Sequence, residues 1–287
     1  MKQVKRILVA IDRSAMANEA LKRAISIAHD KNTSLVIVHD LEPPFFNAPC
    51  LQPVNENEIK KEISDQVDLL NLEAKVEYSV LIEHGIVTDT VINIANKINA
   101  DLLVIGLHGK NDTDSYYFGA SAFKIIQKTN IPMLVVKNKV KGTYQNMVLP
   151  TNLSDISKES ILFANTLFTQ TPQKYIYAHE IFTELQALTY HVSEEDRQSI
   201  NLEMATKARS ELEAFVKEVG KGKMVYIDFS ASVNEDLLSF IIQDKADLIV
   251  LGSKGIGTLN SFVFGSTASY LLHESPSDIL IHVPQKS

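Results

Sequence analysis

The sequence Ala246-Asp-Leu-Ile-Val-Leu-Gly252 has a near copy earlier in the chain, Ala100-Asp-Leu-Leu-Val-Ile-Gly106. In both copies four apolar residues lie between an aspartate and a glycine, a pattern typical of a strand covered on both faces of a parallel sheet. Two more segments recur in the same order: 6–14 aligns with 146–154, and 36–40 aligns with 176–180. The chain is therefore predicted to hold a duplicated domain, with a first copy at 1–140 and a second at 141–287.

Each half alternates short apolar runs with stretches of helical periodicity. Ser14, for example, precedes apolar residues at helical spacing and is a candidate helix N-cap. Strands are predicted at 7–11, 35–38, 76–80, 102–105 and 133–136 in the first half, and at 147–149, 175–178, 224–227, 248–251 and 279–283 in the second. This alternation predicts two tandem α/β domains, each with a doubly wound parallel sheet. The two halves are expected to meet through their last strands, 133–136 and 279–283.

Composition argues against several classes of function. The chain has 287 residues, with 28 Lys plus Arg against 35 Asp plus Glu and a net charge of -7, so we expect no binding to nucleic acid. The single cysteine, Cys50, supplies neither a disulfide nor a thiolate cluster. None of the eight histidines has a zinc-site spacing, and His39 and His179, at equivalent strand ends, are interpreted as structural. No apolar stretch approaches the ~18 residues of a membrane span, so we expect a cytoplasmic protein.

A glycine-rich segment follows the fourth predicted strand of the second half. It contains Gly252, Gly255 and Gly265, and the last of these is followed by Ser266 and Thr267 at the start of a predicted helix. Glycines let the backbone approach an anion closely, and the free N–H groups and dipole of a helix start attract one. The segment is therefore a candidate phosphate site.

Polar residues after neighbouring strands extend this candidate site. Asn152, after the first strand of the second half, can hydrogen-bond a ribose hydroxyl, and the backbone near Glu180 can frame an adenine edge. Lys254 adds a positive charge beside a loop, 256–264, that contains no acid. From these residues alone a second interpretation stays open, in which the glycines only form turns and a helix cap.

The spacing Gly-x2-Gly-x9-Gly-Ser/Thr, placed before a helix that leads to Pro276-Ser-Asp-Ile-Leu-Ile281, resembles the universal stress protein A family. The resemblance covers both halves, so the whole chain is similar to a tandem universal stress protein. It implies an adenine-nucleotide α-hydrolase-like fold with five strands in each domain, frequent dimers, and roles in stress resistance or signalling. Some members of the family bind ATP and others do not, and the family shares no single reaction.

The resemblance also places a site in each half, and the two sites depart from the family at different residues. In the second half the family's nucleoside-contacting acid falls on Asn152, which keeps hydrogen-bonding capacity. In the first half the corresponding positions are Asp12, Asp40, Gly106, Gly109, Gly119 and, one residue late, Ser121. There Ala120 removes a hydroxyl donor, and Asp112 and Asp114 lie in the loop where a triphosphate would lie. A like charge ~6 Å away costs about 0.7 kcal/mol even in water, so the second half is predicted to be the nucleotide site.

The predicted function is binding of ATP or a related adenine nucleotide, with Mg²⁺ carried on its phosphates, by a homodimeric stress-response regulator or sensor. Two alternatives stay open: a scaffold that acts through protein partners or an apolar ligand, and a slow ATPase at the same site. No positioned general base occurs in the motif segments, so no catalytic residue is predicted. The sequence also lacks a P-loop, a Rossmann fingerprint and a G-x-S-x-G nucleophile elbow.

Overall fold

The computed structural model describes residues 3–41, 55–107, 120–229, 232–253 and 265–283. The first repeat contains β1 (Arg6–Ile11), α1 (Ala15–Lys31), β2 (Ser34–Leu41), α2 (Glu56–Leu70), β3 (Tyr78–His84), α3 (Val87–Lys97), β4 (Leu102–Gly106), α4 (Ala120–Lys128) and β5 (Met133–Val136). The second contains β6 (Met147–Thr151), α5 (Asp155–Leu167), β7 (Gln173–Glu180), α6 (Glu184–Thr189), α7 (Glu194–Val219), β8 (Lys223–Phe229), α8 (Val233–Gln243), β9 (Leu248–Gly252), α9 (Ser266–Glu274) and β10 (Asp278–His282). The described residues form two compact units: unit 1 holds those up to 143 together with 278–283, and unit 2 holds 144–253 and 265–277.

Unit 1 has a sheet in the order β3-β2-β1-β4-β5-β10. The first five strands are parallel, with Ile7 of β1 opposite Leu35 of β2 and Leu102 of β4. β10, the last strand of the second repeat, pairs antiparallel with β5, and Leu280 lies opposite Leu134. The prediction that the last strands of the two repeats meet is thus confirmed, and the sheet is mostly parallel.

Unit 2 has a parallel sheet in the order β8-β7-β6-β9. Both repeats therefore share one strand order, in which the third, second, first and fourth strands lie side by side. The order reverses between the first and fourth strands, which are β1 and β4 in unit 1 and β6 and β9 in unit 2. At such a switch point the connections leave on opposite faces of the sheet and open a crevice at the carboxyl ends of the strands.

The predicted strands and helices form where expected, with shifted ends. β3 begins at Tyr78 rather than Val76 and continues to His84, because it pairs with β2 over its whole length. The long helix of the second repeat, α7, begins at Glu194, where the Ser193 side chain accepts a hydrogen bond from the backbone of the first turn. The short helix α6 before it was not predicted.

The aspartate of the repeated Ala-Asp sequence holds two neighbouring strands in register. Asp101 accepts hydrogen bonds from the backbone N–H groups of Lys5 and Arg6 (2.9 and 3.1 Å), where the chain enters β1. Asp247 makes the equivalent pair with the residues that lead into β6 (2.6 and 2.9 Å). Backbone N–H groups need acceptors, and each carboxylate supplies them where the chain enters the strand. Both repeats therefore have an aspartate that joins two neighbouring strands at the edge of the sheet opposite the crevice.

Two charged residues of α1 are buried because they hold the connection between the repeats. Glu19 accepts a hydrogen bond from the backbone N–H of Val140 (2.7 Å), and Arg23 donates one to the carbonyl of Gly142 (2.7 Å). Burial raises the pKa of the Glu19 carboxyl, but hydrogen bonds from Lys22 and Val140 outweigh it, so the pKa lies below its usual value. Within the described ranges no helix is both long and apolar enough to cross a membrane.

Candidate ligand site at the carboxyl ends of the strands

The turn after the first strand has the same geometry in both units. In unit 1 the Asp12 carboxylate accepts a hydrogen bond from the backbone N–H of Ser14 (3.0 Å), and Arg13 between them has a left-handed backbone (φ 67°). In unit 2 Asn152 accepts from Ser154 (3.2 Å), and the residue between them again has a left-handed backbone. The serine then caps the following helix. This turn fixes the position of Asp12 or Asn152 at the mouth of the crevice.

The structure determines which group Asn152 offers to a ligand. Its Oδ1 accepts both from the Ser154 backbone and from the Ser157 hydroxyl (2.8 Å). A backbone N–H can only donate, so the atom that faces it must be the amide oxygen. The amide nitrogen makes no hydrogen bond to any described residue, and the side chain is exposed. Asn152 therefore presents a hydrogen-bond donor to the crevice.

The histidines at the ends of β2 and β7 have different partners. His39 is 5% exposed and its Nδ1 donates to the carbonyl of Ile11 (2.8 Å), which ties β2 to the end of β1 and supports its structural interpretation. His179 lies against β8 instead, with Nδ1 3.2 Å from a carboxylate oxygen of Asp228 but outside hydrogen-bond geometry. No group of three or more metal-ligating side chains occurs among the residues that the structure describes.

Asp40 and Glu180, the predicted adenine positions, lie at the ends of β2 and β7. Asp40 pairs in register with Glu83 of β3, and Glu180 pairs with Phe229 of β8. The Asp40 side chain is half-buried, whereas that of Glu180 is exposed. Unit 1 therefore has two carboxylates, Asp12 and Asp40, at the positions where unit 2 has one amide and one exposed carboxylate.

Gly106 and Gly252 at the ends of β4 and β9 have a packing role. A Cβ at Gly106 would lie 2.9 Å from the backbone carbonyl carbon and oxygen of Met16, in the first turn of α1. A Cβ at Gly252 would lie 2.7 Å from side-chain atoms of Ile156 and Ser160 on α5. Close approach of the helix to the strand end thus requires glycine at both positions, whether or not a phosphate binds there.

Gly265, Ser266 and Thr267 form the start of α9. Gly265 is the N-cap, with an ordinary backbone (φ -62°, ψ 153°), and no side chain caps the helix. A Cβ at Gly265 would have no atom of a described residue within 4 Å, so packing against the described part of the chain does not explain this glycine. Ser266 is exposed and Thr267 is half-buried in the first turn, where the free N–H groups of the helix lie. In unit 1 Ser121 is exposed in the first turn of α4.

Four residues predicted for the site lie outside the described residues: Gly109, Gly119, Lys254 and Gly255. Their assignment stays a prediction from the sequence. The structure brings the other predicted residues to the carboxyl ends of the strands, as the order of elements requires.

Among the described residues of unit 2, three buried side-chain atoms at this same edge have no hydrogen-bond partner. They are Nδ1 of His179 near the end of β7, Oδ1 of Asn234 at the start of α8 after β8, and Oγ of Ser253 directly after β9. A fourth such atom of unit 2, Oδ1 of Asn165, lies near the end of α5, at the opposite edge. A buried polar atom without a partner costs about 1–3 kcal/mol, so such atoms mark places where a ligand or water supplies the partner.

Sequence reasoning missed Asn234 and Ser253. Ser253 is fully buried, and the position equivalent to it in the first repeat is Leu107, which is also buried. The signal was present, because Ser253 stands inside the glycine motif between Gly252 and Gly255. The sequence does not reveal that the hydroxyl lacks a partner, because that depends on the packing around it.

These features define the class of the protein: a tandem α/β protein with doubly wound sheets of the adenine-nucleotide α-hydrolase-like type. The chain belongs to the universal stress protein family, whose family model matches residues 3–137 and again residues 143–283.

The similarity to single relatives covers one repeat, whereas some of the similar solved structures cover both. Universal stress protein A homolog 1 of Coxiella burnetii is 29% identical over 141 residues, which are 46% of this chain and 95% of that protein. A universal stress protein of Archaeoglobus fulgidus has a similar fold (TM-score 0.67, 14% identity, 98% of this chain and 99% of that chain). A functionally unknown protein, PA1789 of Pseudomonas aeruginosa, is also similar (TM-score 0.71, 16% identity, 98% of this chain and 93% of that chain). At such identities the solved structures show the fold alone.

Proposed function

We propose that the second repeat binds ATP or a related adenine nucleotide at the carboxyl ends of β6, β7 and β9, and that the protein acts as a stress-response regulator or sensor. The observation that carries this proposal is a pair of buried side-chain atoms at that edge without hydrogen-bond partners, Asn234 Oδ1 and Ser253 Oγ. His179 Nδ1 lies at the same edge and makes no hydrogen bond, although it is 3.2 Å from a carboxylate oxygen of Asp228. In this proposal a polar ligand or its bound water at the carboxyl ends of the strands supplies the missing hydrogen-bond partners, and that gain favours binding.

The groups of unit 2 suit the parts of a nucleotide. The start of α9 offers free N–H groups and a partial positive charge to phosphate, with the hydroxyls of Ser266 and Thr267 beside them. The amide nitrogen of Asn152 offers a donor to a ribose oxygen. No atom of a described residue lies within 4 Å of a Cβ built at Gly265, and the lack of a side chain there lets a phosphate approach the backbone closely.

Charge favours unit 2 over unit 1 for an anionic ligand. Where unit 1 has Asp12 after its first strand, unit 2 has Asn152, so one negative charge is absent from the crevice. A like charge raises the free energy of a bound phosphate, and the effect grows as water is displaced. In this proposal Mg²⁺ binds with the nucleotide, through its phosphates.

Other parts of the proposal rest on the sequence. The single cysteine and the acidic charge favour a cytoplasmic protein that does not bind nucleic acid, and the family resemblance favours a homodimer. We also keep the repeats at 1–140 and 141–287 as the evolutionary domains.

The first test is to denature the purified protein, filter it, and quantify the released nucleotide by ion-pair chromatography. About one adenine nucleotide per chain is expected. Calorimetry with ATP and Mg²⁺ then compares the wild type with Gly265→Val, which blocks close phosphate approach and whose Cβ meets no atom of a described residue within 4 Å. The matched control is Gly119→Val at the equivalent position of the first repeat, which should retain binding.

Three results would contradict the proposal. Absence of released nucleotide together with no uptake at millimolar ATP would favour the scaffold alternative. Unchanged affinity in Gly265→Val would move the site away from α9. Loss of binding in Gly119→Val alone would assign the nucleotide to the first repeat.

A further inference from the structure

Side-chain hydrogen bonds hold the start of the short helix α6, which lies between β7 and α7. The Thr183 hydroxyl accepts from the backbone N–H of Gln186 (3.3 Å), and the Gln186 side chain accepts from the backbone N–H of Thr183 (2.8 Å), which together form a capping box. Asn201 of α7 accepts from the N–H of Phe182 (2.7 Å) and donates to its carbonyl (3.0 Å). The amide oxygen and the amide nitrogen of Asn201 thus attach Phe182, just before α6, to α7.

Two leucines of α6, and a tyrosine that follows it, have side chains exposed to solvent. Leu185 and Leu188 are each 74% exposed, and their spacing of three residues places them on one side of α6. Tyr190, which follows the helix, is 70% exposed, and its ring stacks on Phe182 at 6.3 Å. The opposite side of the helix is buried through Ala187. We call Leu185, Leu188 and Tyr190 the α6 face.

Isolated exposed leucines are common, but an apolar set on an ordered element marks an interaction surface more often. Because the capping box and Asn201 already fix the backbone, a partner would not have to order this segment on binding. Preorganisation of this kind lowers the entropic cost of association.

The charge of the chain through α6 and the first part of α7 favours a basic partner. Between residues 181 and 206 the chain has five acids and one basic residue: Glu184, Glu194, Glu195, Asp196 and Glu203, against Arg197; Lys207 and Arg209 follow further along α7. Arg197 is already paired with Glu194. A second copy of this chain would bring the same acids together, and an anionic lipid surface would be repelled in the same way.

We propose that the α6 face binds a basic amphipathic segment of another protein, with apolar side chains of that segment against Leu185 and Leu188 and its lysines or arginines against the surrounding acids. Burial of the apolar side chains stabilises the complex. The acids favour a basic partner over an acidic one and increase the rate of association. This inference is independent of nucleotide binding.

The test uses the full chain and a fluorescent amphipathic peptide of leucine and lysine at helical spacing, with a leucine and glutamate peptide of the same pattern as a charge control. Anisotropy is measured for the wild type, for Leu185→Ser/Leu188→Ser, and for Leu69→Ser/Leu72→Ser. The last variant is a matched control, since Leu69 and Leu72 in the first repeat are 70% and 67% exposed. All four leucines are exposed, so the variants should fold.

We expect the lysine peptide to bind at least tenfold more weakly to Leu185→Ser/Leu188→Ser, and within twofold of wild type to the control variant. Glu184→Lys/Glu195→Lys should weaken binding as well, and added salt should weaken binding to the wild type. Equal affinity in the α6 variant, or equal binding of the glutamate peptide, would overturn the proposal. So would a wild-type dimer in light scattering that Leu185→Ser/Leu188→Ser dissolves, because that result would assign the α6 face to a second copy.

Discussion

Substitution of Gly106 by alanine tests whether this glycine serves packing. The added Cβ would lie 2.9 Å from both the carbonyl carbon and the oxygen of Met16, and 3.2 Å from the backbone nitrogen of Ala17. All three atoms belong to the backbone of α1, so no side-chain rotation relieves the contact. The helix cannot retreat cheaply, because Glu19 and Arg23 hold it to the connection between the repeats.

The magnitude follows from the cost of overpacking. One extra methyl group in a packed site typically costs 1–3 kcal/mol, and contacts with backbone alone place Gly106→Ala at about 2–3 kcal/mol. For a unit of this size each kcal/mol lowers the Tm by about 2–4 °C, so unit 1 should melt roughly 5–10 °C lower.

Two other glycines provide controls of graded severity. At Gly265, an added Cβ has no atom of a described residue within 4 Å and the backbone is ordinary, so Gly265→Ala should change the unfolding free energy by less than about 0.5 kcal/mol. Gly252→Ala should fall between them, because its contacts at 2.7 Å are with the side chains of Ile156 and Ser160, which can rotate, and the nearest backbone atom is 3.3 Å away. Urea unfolding followed by circular dichroism ranks the three variants. A Gly106→Ala midpoint within error of the wild type would refute the packing role and leave ligand approach as the reason for this glycine.

Further variants test the buried polar groups and the ribose contact. Ser253→Ala removes a fully buried hydroxyl without a partner, so the nucleotide-free protein should gain about 1 kcal/mol in thermal unfolding; a loss would reveal a partner for that hydroxyl. Burial lowers the pKa of His282 from 6.5 to about 4, so the unfolded chain takes up a proton before the folded one as the pH falls. The wild type should therefore lose stability between pH 6.5 and about 4, and His282→Gln should lack this slope in urea midpoints; an identical slope would contradict the assignment. Asn152→Asp preserves the acceptor of the turn and replaces the outward donor by a charged acceptor, so adenosine should bind severalfold more tightly in calorimetry. Unchanged affinity would mean that this side chain does not reach the ribose.

Much of the fold could be predicted because its signals are local. Apolar runs such as 102–105 and 248–251 are strands in the structure, and the Ser14 and Ser154 N-caps stand where the sequence changes from strand to helix. The ends of the strands could not be predicted as closely as their centres, because the end of β3, for example, depends on how far β2 continues beside it. Helix α6 was missed because six residues carry too little periodicity to register.

Part of the candidate site could be predicted for the same reason. Short sequence motifs predict the turn at Asn152 and the start of α9, and the parallel sheet places both at the carboxyl ends of its strands. The free amide nitrogen of Asn152 could not be predicted, because it depends on the Ser157 hydroxyl reaching the amide oxygen. The same holds for Ser253, whose neighbours in space come from distant parts of the chain.

The duplication, the α/β alternation and the family could all be recognised from the sequence, and the candidate site was placed at the strand ends, since these inferences depend on patterns of neighbouring residues. Three features became visible in the tertiary structure. β10 of the second repeat pairs with β5 in the sheet of unit 1, Gly106 and Gly252 allow a helix to approach the end of a strand, and two leucines of α6 are exposed to solvent. The physical reason is that packing and hydrogen-bond satisfaction depend on contacts between residues far apart in the chain, whereas periodicity and capping depend on residues within a few positions of each other.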